Sequence, residues 1–179
     1  TAENVTRGNS ARQVHLLAGG IGQVAQLASV NLPTPGDSAV LNLQNSTFGN
    51  IYAGGVAAGY TGAVSVTVEK GTVGTIYGSG ANESVPGGNW FDTTESPAPT
   101  ANPNYTVSGP VRVTLTTPPG NLTVDGSGAN DLAVDVSTVY STTMALPNVK
   151  KLNVTSGTVA LSNHSNELAV SLTGATTAI

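Results

Sequence analysis

Leu41-Asn-Leu-Gln-Asn-Ser-Thr-Phe-Gly-Asn-Ile-Tyr-Ala-Gly-Gly55 is echoed 25 positions later by Val66-Thr-Val-Glu-Lys-Gly-Thr-Val-Gly-Thr-Ile-Tyr-Gly-Ser-Gly80. A repeat of roughly 20 to 50 residues marks a supersecondary unit that cannot bury its apolar face alone and must stack on its neighbours. Within each copy the apolar side chains alternate with polar ones, as in a strand with one buried face. The echo therefore predicts a β-solenoid, with Ile51 over Ile76 and Tyr52 over Tyr77 in adjacent coils.

Outward from this stretch the same alternation continues in Val64/Val66/Val68, Val111/Val113/Leu115, Leu132/Val134/Val136, Leu152/Val154 and Leu168/Val170/Leu172. Gly- and Pro-rich corners such as Gly54-Gly55, Lys70-Gly71, Pro118-Pro-Gly120 and Ser156-Gly157 separate these runs and read as turns. Only Gly20–Val30, with Ile21, Val24 and Leu27 three apart, has a helix-like spacing. A sandwich of hairpins would also alternate, but Asp125-Gly126 is the only Asn-Gly or Asp-Gly pair, so the echoes favour coils. Ser79-Gly-Ala-Asn82 returns as Ser127-Gly-Ala-Asn130 after 48 residues, close to two coils of the first length. Aligning Asp131-Leu-Ala-Val134, Lys151-Leu-Asn-Val154 and Glu167-Leu-Ala-Val170 predicts one buried column of Leu132, Leu152 and Leu168. Val134, Val154 and Val170 would form a second, flanked by the alternating charges Asp131, Lys151 and Glu167. The expected total is six or seven irregular coils in a single domain spanning residues 1–179.

Composition narrows the function classes. Only 9% of the 179 residues are charged and the net charge is −4. Six basic residues cannot build the cationic stripe that a phosphate backbone requires, so nucleic acid is not an expected partner. No apolar run of about 18 residues is present to cross a membrane as a helix. The polar start Thr1-Ala-Glu-Asn-Val-Thr-Arg7 does not read as a signal peptide, and a leader removed beforehand is expected. Without cysteine there are no disulfides, thiolate metal sites or cysteine nucleophiles. Abundant Thr, Ser and Asn with little Lys suits a secreted bacterial surface.

Residues 83–109 break the rhythm with a long insertion, and long loops on rigid scaffolds are candidates for function. Trp90-Phe91 stands out there. One reading stacks the indole on a sugar face, with Asn89, Asp92 or Tyr105 supplying hydrogen bonds. The other folds both rings back as a lid over the coil edge. For glycoside hydrolysis two carboxyl groups should lie about 5 to 9.5 Å apart. Asp131 and Asp135 share one face of a strand but would sit about 13 Å apart, and Asp92 and Glu95 read as solvated loop acids. His15 and His164 are far apart in sequence, so neither a metal pair nor a triad is expected. Asp125-Gly-Ser-Gly-Ala-Asn-Asp131 has some of the spacing of a calcium-binding glycine repeat, but with an extra residue and a single copy. No cofactor is expected.

Gly49-Asn-Ile-Tyr-Ala-Gly-Gly55 and Gly71-Thr-Val-Gly-Thr-Ile-Tyr-Gly-Ser-Gly80 resemble the Gly-Thr-Val-Gly-x-Val-Tyr-Gly-Gly-Gly repeats of adhesin-like bacterial surface proteins with right-handed parallel β-helix folds. The resemblance covers roughly residues 39 to 82. It implies an extracellular, adhesive or structural role toward a glycan or a host surface protein, and it supplies no catalytic residues. The alternative is a polysaccharide lyase or hydrolase of the pectate-lyase or phage-tailspike kind. Such enzymes need acidic clusters with basic neighbours, and Arg112 is the only basic residue near the middle coils. The uncapped sequence Ser171–Ile179 predicts that further coils of a longer protein, or another subunit, cover that end.

Overall fold

In the computed structural model the alternating segments run side by side in the same direction. The structure describes residues 2–3, 16–17, 39–55, 58–82, 100–173 and 176–178. Within them lie β1 (Ala2–Glu3), β2 (Leu16–Leu17), β3 (Ala39–Tyr52), β4 (Val64–Tyr77), β5 (Gly80–Ala81), β6 (Ala101–Asn102), β7 (Val107–Leu115), β8 (Asn121–Asp125), β9 (Ala129–Leu146), β10 (Lys151–His164), β11 (Ala169–Leu172) and β12 (Thr176–Ala178). No helix occurs among the described residues, and Gly20–Val30 lies outside them.

Ten strands form one sheet whose neighbours pair in parallel, in the order β1-β3-β4-β7-β9-β10-β11, with β2, β8 and β12 paired alongside. Parallel neighbours need long crossovers rather than tight hairpins, which excludes the sandwich. The described strands form a parallel β-solenoid of about five complete turns, flanked by the short strand pairs β1/β2 and β11/β12. Each middle coil has two arms. The first runs through the starts of β3, β4, β9 and β10 with β7, and the second through their ends with β8.

The founding echo holds in register: Leu41 pairs with Val66, Ile51 with Ile76 and Tyr52 with Tyr77. Tyr52 and Tyr77 stack with ring centroids 5.3 Å apart and planes 10° from parallel. Two expectations need correction. Ile76 pairs directly with Val124, so the 48-residue step is one coil carrying the insertion rather than two coils.

The second correction concerns the columns. Leu152 lies opposite Val134 and Val170, and Val154 opposite Val136 and Leu172, so both steps are 18 residues instead of 20 and 16. A slip of two residues leaves every side chain on its original face, and the apolar pattern is satisfied equally by either register. Backbone pairing settles the choice. One inner column thus runs Val66, Val113, Val134, Leu152, Val170, and its neighbour Val68, Leu115, Val136, Val154, Leu172. Burial of the enclosed members, Val66 to Leu152 in the one and Val68 to Val154 in the other, stabilises by about 1.5–3 kcal/mol each.

Corners are as closely packed as the arms. A Cβ on Gly109 would run into the Gly62 carbonyl oxygen of the coil before it, so only glycine lets those backbones approach. Coil-to-coil hydrogen bonds continue around the turns, from Ala53 N to Tyr77 O (2.9 Å), Gly78 N to Asp125 O (2.7 Å) and Gly126 N to Pro147 O (2.8 Å). Pro110, which has no N–H to give, sits where β7 shifts register against β9.

Candidate functional site

The insertion leaves and rejoins the solenoid at one place. β5 and β6 pair antiparallel, Gly80 with Asn102 and Ala81 with Ala101, so residues 82 and 100 emerge side by side. Side-chain amides reinforce this clasp. Asn102 Nδ2 donates to Asn82 Oδ1 (2.7 Å), Asn82 Nδ2 to Thr100 Oγ1 (3.2 Å), and the Asn104 amide to Asn102 Oδ1 (2.9 Å). Tyr105 lies half-buried at its base, its carbonyl accepting from Gly80 N (2.8 Å) and its N–H donating to Asn102 O (3.0 Å). Of the five residues singled out for ligand binding, Tyr105 is therefore part of the clasp. Asn89, Trp90, Phe91 and Asp92 lie outside the described residues, as do Glu95 and His15.

The three described aspartates are each engaged. Asp131 accepts from Lys151 Nζ (3.0 Å). Asp135 meets Arg112 Nε (3.3 Å) and accepts from Asn153 Nδ2 (2.7 Å). The Asp131–Lys151 pair survives the two-residue change of register because a lysine stem reaches diagonally across the sheet; Glu167 stands at the same diagonal on the other side, where Lys151 lies opposite Ala169, and the ammonium is turned to Asp131 instead. Asp125 Oδ1 accepts from Ser127 N (2.9 Å), Ser127 Oγ (2.7 Å) and Asn148 Nδ2 (3.1 Å), an Asx-type turn that fixes the corner. Among the described residues no group of three or more His, Asp or Glu is placed to hold a metal ion, and no helix is long and apolar enough to cross a membrane. His164 is exposed, with Nδ1 3.0 Å from the Ser165 carbonyl oxygen. It lines a shallow polar concavity with Asn148, Asn163, Asn166 and Glu167.

One feature escaped the sequence reading. Between the two arms of β9 the alternation fails, and Val139, Tyr140 and Ser141 are exposed in succession. Val139 is 88% and Tyr140 56% exposed, the largest values among the described large apolar side chains. Opposite them Ser137 pairs with Ser156 and Ser141 with Thr158, so residues 138–140 face Gly157 alone and bulge outward. The adjacent apolar pair Val139-Tyr140, which breaks a period of two, is the signal that could have found it.

Comparison of the chain with protein-family models, with curated proteins and with solved structures gives no match.

Proposed function

We propose that the chain is an extracellular, non-catalytic module of a bacterial surface protein, adhesin-like in kind, that presents binding elements to a carbohydrate or another host surface ligand. The observation that carries this reading is the combination of a stiff parallel stack with walls of hydroxyl and amide side chains. The column Thr67, Thr114, Asp135, Asn153, Ser171 is an example. Such a wall offers many hydrogen bonds, and its charged members Arg112, Asp131, Asp135 and Lys151 are neutralised in ion pairs, which suits sugar hydroxyls. The clasp at β5 and β6 holds residues 82 and 100 side by side on this support, as the presentation of a chain segment between them needs. The ion pairs of Asp131 and Asp135 supply neighbouring carboxylates with cationic partners on the outer face, as exposed contacts of small stabilising value.

A glycan-array screen with a reducing-end assay on the retained polysaccharides tests the proposal. Retention without bond cleavage is the expected result. Release of reducing ends would replace it with the hydrolase or lyase reading, and no retention would leave only a spacer role.

A further inference from the structure

From the bulge in β9 we infer that Tyr140 and Val139 form a docking step for the apolar face of a pyranose ring in an uncharged polysaccharide. The inference deepens the proposed function by naming a site and a ligand class, and it rests on that reading.

The step is built rigidly. Three residues of β9 oppose one of β10, and the one is Gly157, at φ 96°. A Cβ at Gly157 would lie 2.6 Å from Thr138 Cγ2 and 2.8 Å from Thr138 O, so the outward course of β9 requires glycine both for its dihedral angle and for room. Thr138 points inward and is buried, and its Oγ1 accepts from the Tyr140 amide at 3.1 Å. Just beyond, buried Thr142 donates to Pro119 O (2.9 Å) and ties the step to the coil before it. Two inward threonines thus hold two outward apolar side chains. Bulges that re-aim side chains in this way are features of binding edges.

The surroundings select the ligand. No charged residue occurs in 116–124, 136–149 or 152–163, the stretches of three successive coils that meet at this edge. Hydroxyls take their place: Ser137 and Ser156, with Oγ atoms 3.4 Å apart, together with Ser141 and Thr158. A phosphate or uronate ligand would find no cation in these three coils; Lys70, on the same edge, stands two coils away. A protein partner needs about 800 Å² per side, far more than two side chains among serines provide. A phenol ring beside an aliphatic side chain, bordered by hydroxyls, matches a sugar's C–H face and its rim of hydroxyl groups.

The test is nuclear magnetic resonance on the full chain with cellohexaose, maltohexaose and mannohexaose as neutral probes and oligogalacturonate as the anionic one. Saturation of at least one neutral sugar should transfer to the Tyr140 ring. Y140A should weaken that probe about tenfold or more, while Y140F stays within about threefold of the parent. Both substitutions fall on an exposed side chain, and the transfer measured on the parent protein decides the matter even if a variant folds poorly. Equal binding by Y140A, without transfer to Tyr140, would overturn this site and leave the carbohydrate-binding reading intact elsewhere on the molecule. Preference for oligogalacturonate would overturn the assignment of an uncharged ligand. Failure of the parent to bind any probe here, with retention on the broader array, would sink this inference alone; failure in both would sink the two together.

Discussion

Tyr52 has no exposed surface, and its ring lies flat on that of Tyr77 in the next coil. Burial raises its phenol above the ordinary value of 10.0; the hydrogen bond from Asn50 opposes the rise and the neighbouring Tyr77 adds to it. Because the folded value is the higher one, the unfolded chain loses this proton first as pH climbs and then binds fewer protons than the native state. The slope of stability against pH is negative in that window. The contribution of the neutral phenol is complete below about pH 10 and is lost as pH rises through the folded value. Thermal melts at rising alkaline pH should therefore fall more steeply for the parent than for Y52F, which has nothing to ionise at that position. Parallel curves would show that Tyr52 does not titrate with unfolding. At this scale the sequence was informative where a residue repeats, as Tyr52 and Tyr77 do, and silent where it does not. Tyr140 has no counterpart in a neighbouring coil, and its exposure depends on a bulge created by Gly157 some 17 positions away.

The strand columns grade from fully enclosed to open. Leu152 has Val134 on one side and Val170 on the other and is wholly buried. Leu172, one rung further and in the neighbouring column, is 48% exposed, and Val170 is 38% exposed. Replacing Leu152 with Ala should cost about 2–5 kcal/mol, the usual range for an enclosed leucine, whereas L172A should cost about 1 kcal/mol, since half of the side chain already meets water. Denaturant titration of the two variants checks the difference, and equal losses would mean that the outer rung is covered in solution. Arms and inward faces were legible because alternation depends only on the chain's own period. Register was legible for β3 against β4, where a 15-residue echo fixes it, and missed for β9 against β10 against β11. There the pattern Leu-x-Val repeats at two-residue steps, and either alignment buries the same kinds of side chain. The insertion was mistaken for an extra coil because spacing alone cannot separate a long detour from a second winding.

As a whole the molecule is close to one-dimensional, each coil touching the coil before and the coil after. Stability in such a stack is approximately a sum of rung and interface terms, and it is lowest where a rung has one neighbour. Among the described strands β9 is bonded on both sides, by β7 and β8 and by β10, while β11 pairs with β10 alone. Native-state hydrogen exchange should therefore find the slowest amides in β9 and the fastest of the long-stack strands in β11. Equal protection in the two would reveal something seated on the outer rung. The clasp has a different consequence at this scale. Since β5 and β6 bring positions 82 and 100 within one hydrogen-bonded pair, the windings on either side do not depend on the length of chain threaded between those points. That junction is a natural socket: peptides or small domains could be exchanged there, and the scaffold would carry a new cargo without relearning how to fold.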